Sequence, residues 1–301
     1  MSHAHPDTFL GLPPCPLGDA QAVILPLPLE RTVTYGTGTS RAPAAIIEAS
    51  SQVELFDEEA RVDFAEAPRI HTAAPVPDQG ALQDYLEAVR RRTAALRDKF
   101  VLALGGEHTV TYGAVLGLAP DPPSLTIVHV DAHADIIDEL HGERWSHGTV
   151  MRRLHERGCR LIQLGIRSLS RSEYEFMLAG DRVSTFYAHE LAARWGELTH
   201  LLRALEGDVY LSLDVDGLDP SVIPSTGTPQ PDGLTWRQAM DVLQAVTGAQ
   251  RARLIGADIV EFIPSAYEPG CDIIAAKLAA KLLAFWSVAR SDAVGPMGPR
   301  P

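Results

Sequence analysis

The stretch "IVHVDAHADIIDE", residues 127 to 139, places three chemically similar side chains directly after an apolar run. The run of Ile and Val is typical of a buried strand, and it ends in Asp131, His133 and Asp135. In an extended backbone, residues two apart project to the same side of the chain. We therefore expect these three side chains to converge on one point at the end of a strand.

The alternation of apolar runs and helical patterns along the rest of the chain predicts the fold class. The apolar runs are continuous, as in strands that are buried on both faces. Their alternation with helices predicts an α/β fold with a mostly parallel sheet covered on both faces, in which ligands bind outside the carboxyl ends of the strands. The predicted strands span residues 22–29, 100–106, 124–133, 160–166, 209–216 and 253–261, and the predicted helices span residues 41–52, 83–99, 147–158, 192–207 and 235–248.

Three other predicted strands also end in acids or histidines. "FVLALGGEHT" supplies Glu107 and His108, "VYLSLDVDGLDP" supplies Asp214, Asp216 and Asp219, and "LIGADIVEF" supplies Asp258 and Glu261. A single motif of this kind is also compatible with an ordinary turn whose charges are solvated. Because the pattern recurs at separate strand ends, we interpret these residues together as one polar site at the edge of the sheet.

Six of these side chains are typical metal ligands and together supply four carboxylates and two imidazoles. They are His108, Asp131, His133, Asp135, Asp214 and Asp216. Carboxylates gathered in a partly dry site repel one another, and divalent cations remove this repulsion. Six ligands are too many for one tetrahedral zinc ion but suit two cations that share bridging carboxylates. The oxygen-rich set favours two Mn²⁺, which can hold a hydroxide between them at neutral pH.

Composition bears on the partners and the location of the protein. The 301 residues carry a net charge of −13, which disfavours nucleic acid as a partner. The three cysteines are far apart and odd in number, so we expect no disulfide framework and a reducing, cytoplasmic location. The most apolar segment, residues 272–289, is interrupted by Lys277 and Lys281. We expect it to be a helix in the core or at a subunit contact and expect no membrane association.

The chain shows neither an internal repeat nor a low-complexity linker, which predicts a single domain. We expect residues 1–20 to form a Pro-rich arm, residues 21–290 the domain and residues 291–301 a flexible tail. The amino end also lacks the charged and apolar regions of a signal peptide.

With these residues identified, the sequence resembles the ureohydrolase family of arginases and agmatinases. The resemblance is carried by "GGEHT", "VDAHAD", "SLDVDGLDP" and "ADIVEFIP", in that order, and covers roughly residues 20 to 289. It implies a three-layer α/β/α sandwich around a parallel eight-stranded sheet, in agreement with the alternation described above. It also implies hydrolysis of guanidinium or formimino compounds with two Mn²⁺ and assembly into a homo-oligomer, commonly a trimer or hexamer.

The resemblance implies a role for each candidate ligand. His108 and Asp135 would bind one ion, His133 and Asp216 would bind the other, and Asp131 and Asp214 would bridge the pair. Asp135 would also orient the bridging hydroxide and help to move its proton.

The resemblance implies roles for two further residues near the substrate. Glu261 would hold the guanidinium nitrogens, since a carboxylate matches a planar cation. His147, in "WSHGTV", would relay protons near the leaving amine. Two alternatives stay open: His147 is an exposed or helix-capping residue, or His141 is the relay instead.

The loop "IIDELHGERWSHGTV" bears on the substrate. It lacks the Ser-Gly-Asn element typical of arginases and looks like the corresponding loop of agmatinases. This implies that the substrate is agmatine, a small cationic guanidino compound, which would be cleaved to urea and putrescine. Departures from the agmatinase pattern at Gly217, Ser225, Gln230 and Cys271 leave another guanidino substrate open, as for an arginase or a guanidinobutyrase.

Two other functional classes are alternatives. A different two-metal hydrolase, acting on phosphoesters or peptides, would need basic side chains near the metals, and Arg144, Arg152 and Arg153 are the nearby candidates. A non-catalytic scaffold would have lost one or more ligands, whereas all six are present together with Glu261 and His147.

Overall fold

A parallel sheet of eight strands forms the middle layer of the protein. The computed structural model describes residues 5–265 and 270–293. The strands in chain order are β1 (Ala22–Leu27), β2 (Phe56–Asp57), β3 (Val62–Asp63), β4 (Ile70–Thr72), β5 (Phe100–Gly105), β6 (Thr126–Val130), β7 (Arg160–Ile166), β8 (Val183–Tyr187), β9 (Glu206–Asp214) and β10 (Arg251–Val260). Strands β2 and β3 form a separate antiparallel pair, and the others lie in the order β4-β1-β5-β10-β9-β6-β7-β8, each parallel to its neighbour.

Helices cover both faces of this sheet. They are α1 (Ala42–Ser50), α2 (Leu82–Ala94), α3 (Val110–Leu118), α4 (Val150–Glu156), α5 (Arg171–Ala179), α6 (Leu191–Arg203), α7 (Trp236–Thr247) and α8 (Gly270–Ala293). Along β1, Ala22 and Ile24 belong to one apolar cluster, whereas Val23 and Leu25 belong to another. The first cluster includes side chains of α1, α6, α7 and α8, and the second includes side chains of α2, α3 and α4. The three-layer α/β/α sandwich with its eight-stranded sheet is therefore confirmed.

Several elements do not follow from periodicity alone. The edge strands β4 and β8 are short or carry exposed polar residues, so neither shows the continuous apolar run of a buried strand. Helix α3, "VTYGAVLGL", is rich in Gly and β-branched residues of low helix propensity and is held by its buried position. Helix α5 begins with a capping box formed by the N-cap residue Ser170 and by Glu173 in the first turn, which is a sequence signal for a helix start. The helix predicted over residues 83–99 ends early, at Ala94.

The apolar segment at residues 272–289 lies within α8. Its side chains Leu278, Leu282 and Leu283 are buried in the first of the two clusters, so the helix belongs to the core of the protein. Among the helices of the described ranges, none is both long enough and apolar enough to cross a membrane.

Part of the predicted amino-terminal arm is attached to the sandwich. The side chains of Phe9 and Leu10 are buried in the same cluster as α1. The backbone N–H of Phe9 donates to Thr72 Oγ1, and that of Leu10 donates to Ser50 Oγ. The first four residues of the predicted arm and residues 294–301 of the predicted tail lie outside the described residues.

Candidate metal centre

Four neighbouring strands carry the predicted ligands to one place. These are β5, β10, β9 and β6, which lie side by side in the sheet. Each of them ends in a polar residue or is followed by polar residues at its carboxyl end. These are His108 after β5, Glu261 after β10, Asp214 and Asp216 at β9, and Asp131, His133 and Asp135 after β6. The turn after β5 needs a glycine, because a Cβ on Gly106 would lie 2.0 Å from the carbonyl oxygen of Leu29.

The loop after β6 turns its side chains inward. Strand β6 ends before Asp131, and Asp135 has a positive φ of 51°. Asp131 Oδ1 accepts a hydrogen bond from the N–H of His133 at 2.6 Å, and Asp216 Oδ1 accepts one from the N–H of Ala132 at 3.1 Å. Parallel pairing continues as far as His133, which forms an isolated bridge with Ser168. Alternation along extended backbone therefore fails only at Asp135, where the positive φ turns the chain. The side chains converge nevertheless.

His108 lies at the centre of three carboxylates. Its Nδ1 lies 3.0 Å from Asp135 Oδ2, 3.3 Å from Asp131 Oδ2 and 3.4 Å from Asp214 Oδ2. This nitrogen is buried and has no partner in hydrogen-bonding geometry within the described part of the chain. An imidazole nitrogen surrounded by carboxylate oxygens is a donor set that fits a divalent cation such as Mn²⁺.

The opposite nitrogen of His108 is tied to a buried hydrogen-bond chain. Ser212 Oγ lies 2.8 Å from His108 Nε2 and donates to Asp258 Oδ1 at 2.7 Å. The hydroxyls of Tyr210 and Thr111 donate to the other oxygen of Asp258. Because the one proton of the Ser212 hydroxyl is donated in the hydrogen bond to Asp258, its oxygen accepts a hydrogen bond from Nε2–H of His108. This leaves the lone pair on Nδ1, the nitrogen that faces the carboxylates.

A second group of ligands lies on the other side of Asp131. His133 Nδ1 lies 3.1 Å from Asp216 Oδ2 and 3.5 Å from Asp131 Oδ1. Asp131 thus faces His108 with Oδ2 and His133 with Oδ1. A carboxylate placed between two imidazoles in this way can serve two cations at once.

Charges within the cluster shift its pKa values strongly. Burial, together with repulsion from Asp216 and Asp131, raises the pKa of Asp214 well above its usual range. Burial lowers the pKa of His133, but contacts with Asp131 and Asp216 outweigh it and raise the pKa to about 12. In the same way, the neighbouring carboxylates outweigh burial and raise the pKa of His108. The cluster therefore stabilises added positive charge, either as protons or as metal.

Glu261 and His147 line a cleft of about 270 Å³ that opens onto this cluster. Glu261 Oε1 accepts a hydrogen bond from the N–H of His108 at 2.7 Å. Burial raises the pKa of Glu261 to about 8. His141 is exposed and is not among the residues that line the cleft, so the location favours His147 over His141 as the residue nearest the ligands.

Comparison with known proteins agrees with this geometry. The model of the Arginase family matches residues 20–285. The chain belongs to the arginase family. An N(1)-aminopropylagmatine ureohydrolase of Thermus thermophilus is 37% identical over 256 residues, which cover 83% of this chain and 85% of that protein. An agmatinase of Pyrococcus horikoshii is 32% identical over 270 residues, which cover 89% of this chain and 92% of that protein.

A solved structure shares the fold of this arginase-family chain. The crystal structure of the agmatine ureohydrolase of Thermoplasma volcanium superimposes with a TM-score of 0.83 at 26% identity, covering 92% of this chain and 94% of that chain. The chain is therefore an agmatinase-like ureohydrolase of the arginase family.

His129 also contacts the cluster of this arginase-family protein, although it is not among the ligands predicted from the sequence. Gln163 Nε2 donates to the carbonyl oxygen of Ala134 at 2.7 Å and lies 3.0 Å from His129 Nδ1. His129 therefore accepts at Nδ1, and its Nε2–H donates to Asp131 Oδ2 at 2.7 Å. It positions Asp131. The signal was present, since His129 lies two residues before Asp131 in the period-two pattern.

The arginines that a phosphoesterase or peptidase would use are engaged elsewhere. Arg153 contacts Asp138, the guanidinium of Arg152 lies over the ring of Phe176, and Arg144 is exposed. None of these three arginines lines the cleft.

Proposed function

We propose that the protein is a binuclear manganese hydrolase that cleaves the guanidinium group of agmatine to urea and putrescine. The observation that carries the proposal is the position of Asp131 between His108 and His133, in a chain of the arginase family.

Six side chains would hold the two ions. His108 and Asp135 would bind one Mn²⁺, His133 and Asp216 would bind the other, and Asp131 and Asp214 would lie between them. The buried, unpartnered Nδ1 of His108 supports this assignment, as do the carboxylate oxygens around it. When bound, two such cations supply a nucleophilic water at neutral pH and offset negative charge in the transition state.

The remaining chemistry falls to residues of the cleft. Glu261 binds the guanidinium nitrogens, since a carboxylate pairs well with a planar cation in a buried site. Asp135 orients the attacking water and takes up its proton. Attack forms a bond between the water oxygen and the guanidinium carbon, and the bond from this carbon to the alkylated nitrogen then breaks. His147 delivers the proton that makes this nitrogen a viable leaving group.

The charges along the cleft favour a cationic substrate. Its acidic lining residues are Asp135, Glu173, Asp214, Asp216 and Glu261, and the described lining residues include neither Lys nor Arg. The carboxylate of arginine or of 4-guanidinobutyrate would therefore enter the cleft without a counterion, at a cost in desolvation. Agmatine carries an amine at the corresponding end and avoids this cost.

A second candidate substrate is N(1)-aminopropylagmatine, which is agmatine with an aminopropyl extension on its amine and would yield urea and spermidine. The 37% identity to the Thermus thermophilus ureohydrolase of this compound favours it. A second, outer cleft also shares Leu169 and Ser170 with the first, which provides room for a longer chain.

Urea release from a substrate panel tests the proposal. The purified protein is loaded with Mn²⁺ and offered agmatine, N(1)-aminopropylagmatine, arginine and 4-guanidinobutyrate under identical conditions. We expect the highest kcat/KM for agmatine, and a higher value for the aminopropyl compound would select the second candidate. Release from arginine alone would overturn the choice of a cationic alkylguanidine, and release from none would overturn the reaction. Parallel loading with Zn²⁺ and Mg²⁺ tests the preference for manganese.

Location and assembly complete the proposal: the protein acts in the cytoplasm as a homo-oligomer, a trimer or hexamer. Its three cysteines are free, as in a reducing compartment. Exposed apolar side chains on α5, Tyr174 and Leu178, are available for subunit contacts. Light scattering of the purified protein tests the assembly, and a monomeric mass would contradict it.

A further inference from the structure

A hydrogen-bond chain runs behind His147, on the side away from Nε2. Thr32 Oγ1 lies 3.1 Å from His147 Nδ1 and also accepts a hydrogen bond from the backbone N–H of His147 at 3.1 Å. The same hydroxyl donates to Glu107 Oε1 at 2.8 Å. A carboxylate, a hydroxyl and an imidazole are therefore connected in series, although 115 residues separate Thr32 from His147 in the chain.

Glu107 acts only as an acceptor in this chain. Its side chain is fully buried. Oε2 accepts hydrogen bonds from the backbone N–H groups of Arg31 and Thr32, and Oε1 accepts from the hydroxyls of Thr32 and Thr109. A backbone N–H can only donate, so Oε2 is occupied as an acceptor of two N–H groups and Oε1 as an acceptor of two hydroxyls. The proton of the Thr32 hydroxyl therefore points to Glu107.

The hydroxyl of Thr32 then determines where the imidazole carries its proton. A threonine hydroxyl has one proton and two lone pairs. The proton goes to Glu107 and one lone pair accepts the backbone N–H of His147. The remaining lone pair can only accept, so the ring nitrogen that faces it, Nδ1, must be the donor.

We propose that Glu107 and Thr32 are positioning residues that hold neutral His147 in the tautomer with its proton on Nδ1, so that Nε2 alone exchanges protons in the cleft. Nε2 lies 2.9 Å from the hydroxyl of Thr34, which itself lines the cleft. The role of His147 as a proton relay rests on the proposed function, whereas its tautomer does not. With Nδ1 occupied, a proton enters and leaves the ring at the atom that faces the substrate.

Nitrogen NMR of the full-length protein tests the tautomer directly. Histidine is labelled with ¹⁵N, the protein is loaded with diamagnetic Mg²⁺, and the His147 signals are identified by their loss in H147Q. A pH titration of the same signals shows where the ring is neutral. At pH values where the His147 ring is neutral, we expect the Nδ1–H pattern in the wild type and in T32S, which keeps the hydroxyl. We expect T32V, which keeps the shape but loses the hydroxyl, to gain a population with the proton on Nε2.

Two further variants separate this chain from general disturbance of the site. In E107Q, the side-chain carbonyl accepts the two backbone N–H groups, so the amide N–H₂ donates to Thr32. The Thr32 proton must then turn toward Nδ1, which moves the ring proton to Nε2. In the matched control T34V, the contact on Nε2 is lost while Thr32 still holds Nδ1, so the Nδ1–H pattern is retained. A wild-type spectrum that shows the His147 proton on Nε2 would overturn the proposal. A T32V spectrum identical to that of the wild type would also overturn it.

Kinetic measurements link the tautomer to turnover. They use the Mn²⁺-loaded protein and the substrate of the panel that gives the highest kcat/KM. We expect T32V to lower kcat about tenfold or more with little change in KM, and T32S to restore kcat. The two failures are distinguishable. Nδ1–H signals that respond to T32V in a protein that releases no urea would leave the tautomer established and remove the proposed function. Urea release together with His147 signals that are unchanged in T32V would support the proposed function and overturn the tautomer proposal.

Discussion

Asp131 presents one carboxylate oxygen to each of two imidazoles: Oδ2 lies 3.3 Å from His108 Nδ1, and Oδ1 lies 3.5 Å from His133 Nδ1. Both oxygens are held in place by the protein, because Oδ2 accepts a hydrogen bond from Nε2–H of His129 and Oδ1 accepts one from the backbone N–H of His133. The side chain is fully buried. Its orientation is therefore set before any substrate enters, and the two halves of the cluster share it.

Replacing Asp131 by Asn tests this shared position. An amide keeps one oxygen but replaces the other with an N–H₂ group, which cannot bind a cation. We expect D131N to retain less than half of the metal of the wild type after dialysis and to lose turnover by more than about 100-fold. Metal analysis by mass spectrometry and urea release are the measurements. Asp98→Asn, at a side chain that is 72% exposed, is the control. Full metal content and activity in D131N would contradict the bridging role.

The buried chain behind His108 predicts a graded effect on metal affinity. Removing the Ser212 hydroxyl in S212A frees Nε2 and the orientation of the ring, while all six ligands remain. Loss of such an outer contact weakens metal binding about 10-fold to 100-fold. We expect a higher Mn²⁺ concentration for half-maximal activity and near-normal kcat at saturation, measured by metal titration. Ser184→Ala, at an exposed position on β8, is the control. An unchanged metal requirement in S212A would exclude this role for Ser212.

A buried lysine predicts a large effect on stability away from the cleft. Lys281 of α8 is 2% exposed, and its Nζ lies 3.0 Å from Asp57, 3.2 Å from Glu58 and 3.3 Å from Glu59. In K281M, Asp57 stays buried without its nearest cation, so we expect a loss of about 3 kcal/mol in the free energy of unfolding. Urea denaturation measures it. Lys277, 3.9 Å from Asp57 and 29% exposed, is the matched control, with about 1 kcal/mol or less for K277M. Equal losses in the two variants would contradict the argument.

The same ion pairs make this stabilisation depend on pH. Burial alone would raise the pKa of Glu59, but hydrogen bonds from Arg237 and Lys281 outweigh it, so the pKa lies below its ordinary value of 4.5. A carboxyl group with a lowered pKa contributes stability that is present above the unfolded value and is lost as the pH falls through the folded value. We therefore expect the difference in stability between wild type and K281M to be full near neutral pH and to shrink below about pH 4.5. Unfolding curves across the acid range provide the measurement, and a constant difference would count against it.

The sequence predicts the layer architecture and the candidate ligands because both depend on short-range patterns. The continuous apolar runs of β5, β6, β9 and β10 identify them as buried strands, and parallel strands bring their carboxyl ends to one edge. Polar residues at those ends are therefore placed together without knowledge of the strand order. The edge strands and α3 escape prediction because tertiary packing, and not their own pattern, determines their conformation.

The sequence by itself determined that this chain is a sandwich with acids and histidines at one edge of its sheet, since hydrophobic periodicity acts over a few residues. Only the tertiary structure decided which atoms of those residues meet. Ser212 lies 104 residues from His108, Glu107 lies 75 residues from Thr32, and Asp216, which accepts the backbone N–H of Ala132, lies 84 residues from it. Such hydrogen bonds require segments that are remote in sequence to be positioned to within a few tenths of an ångström. Local propensity carries no information about that positioning.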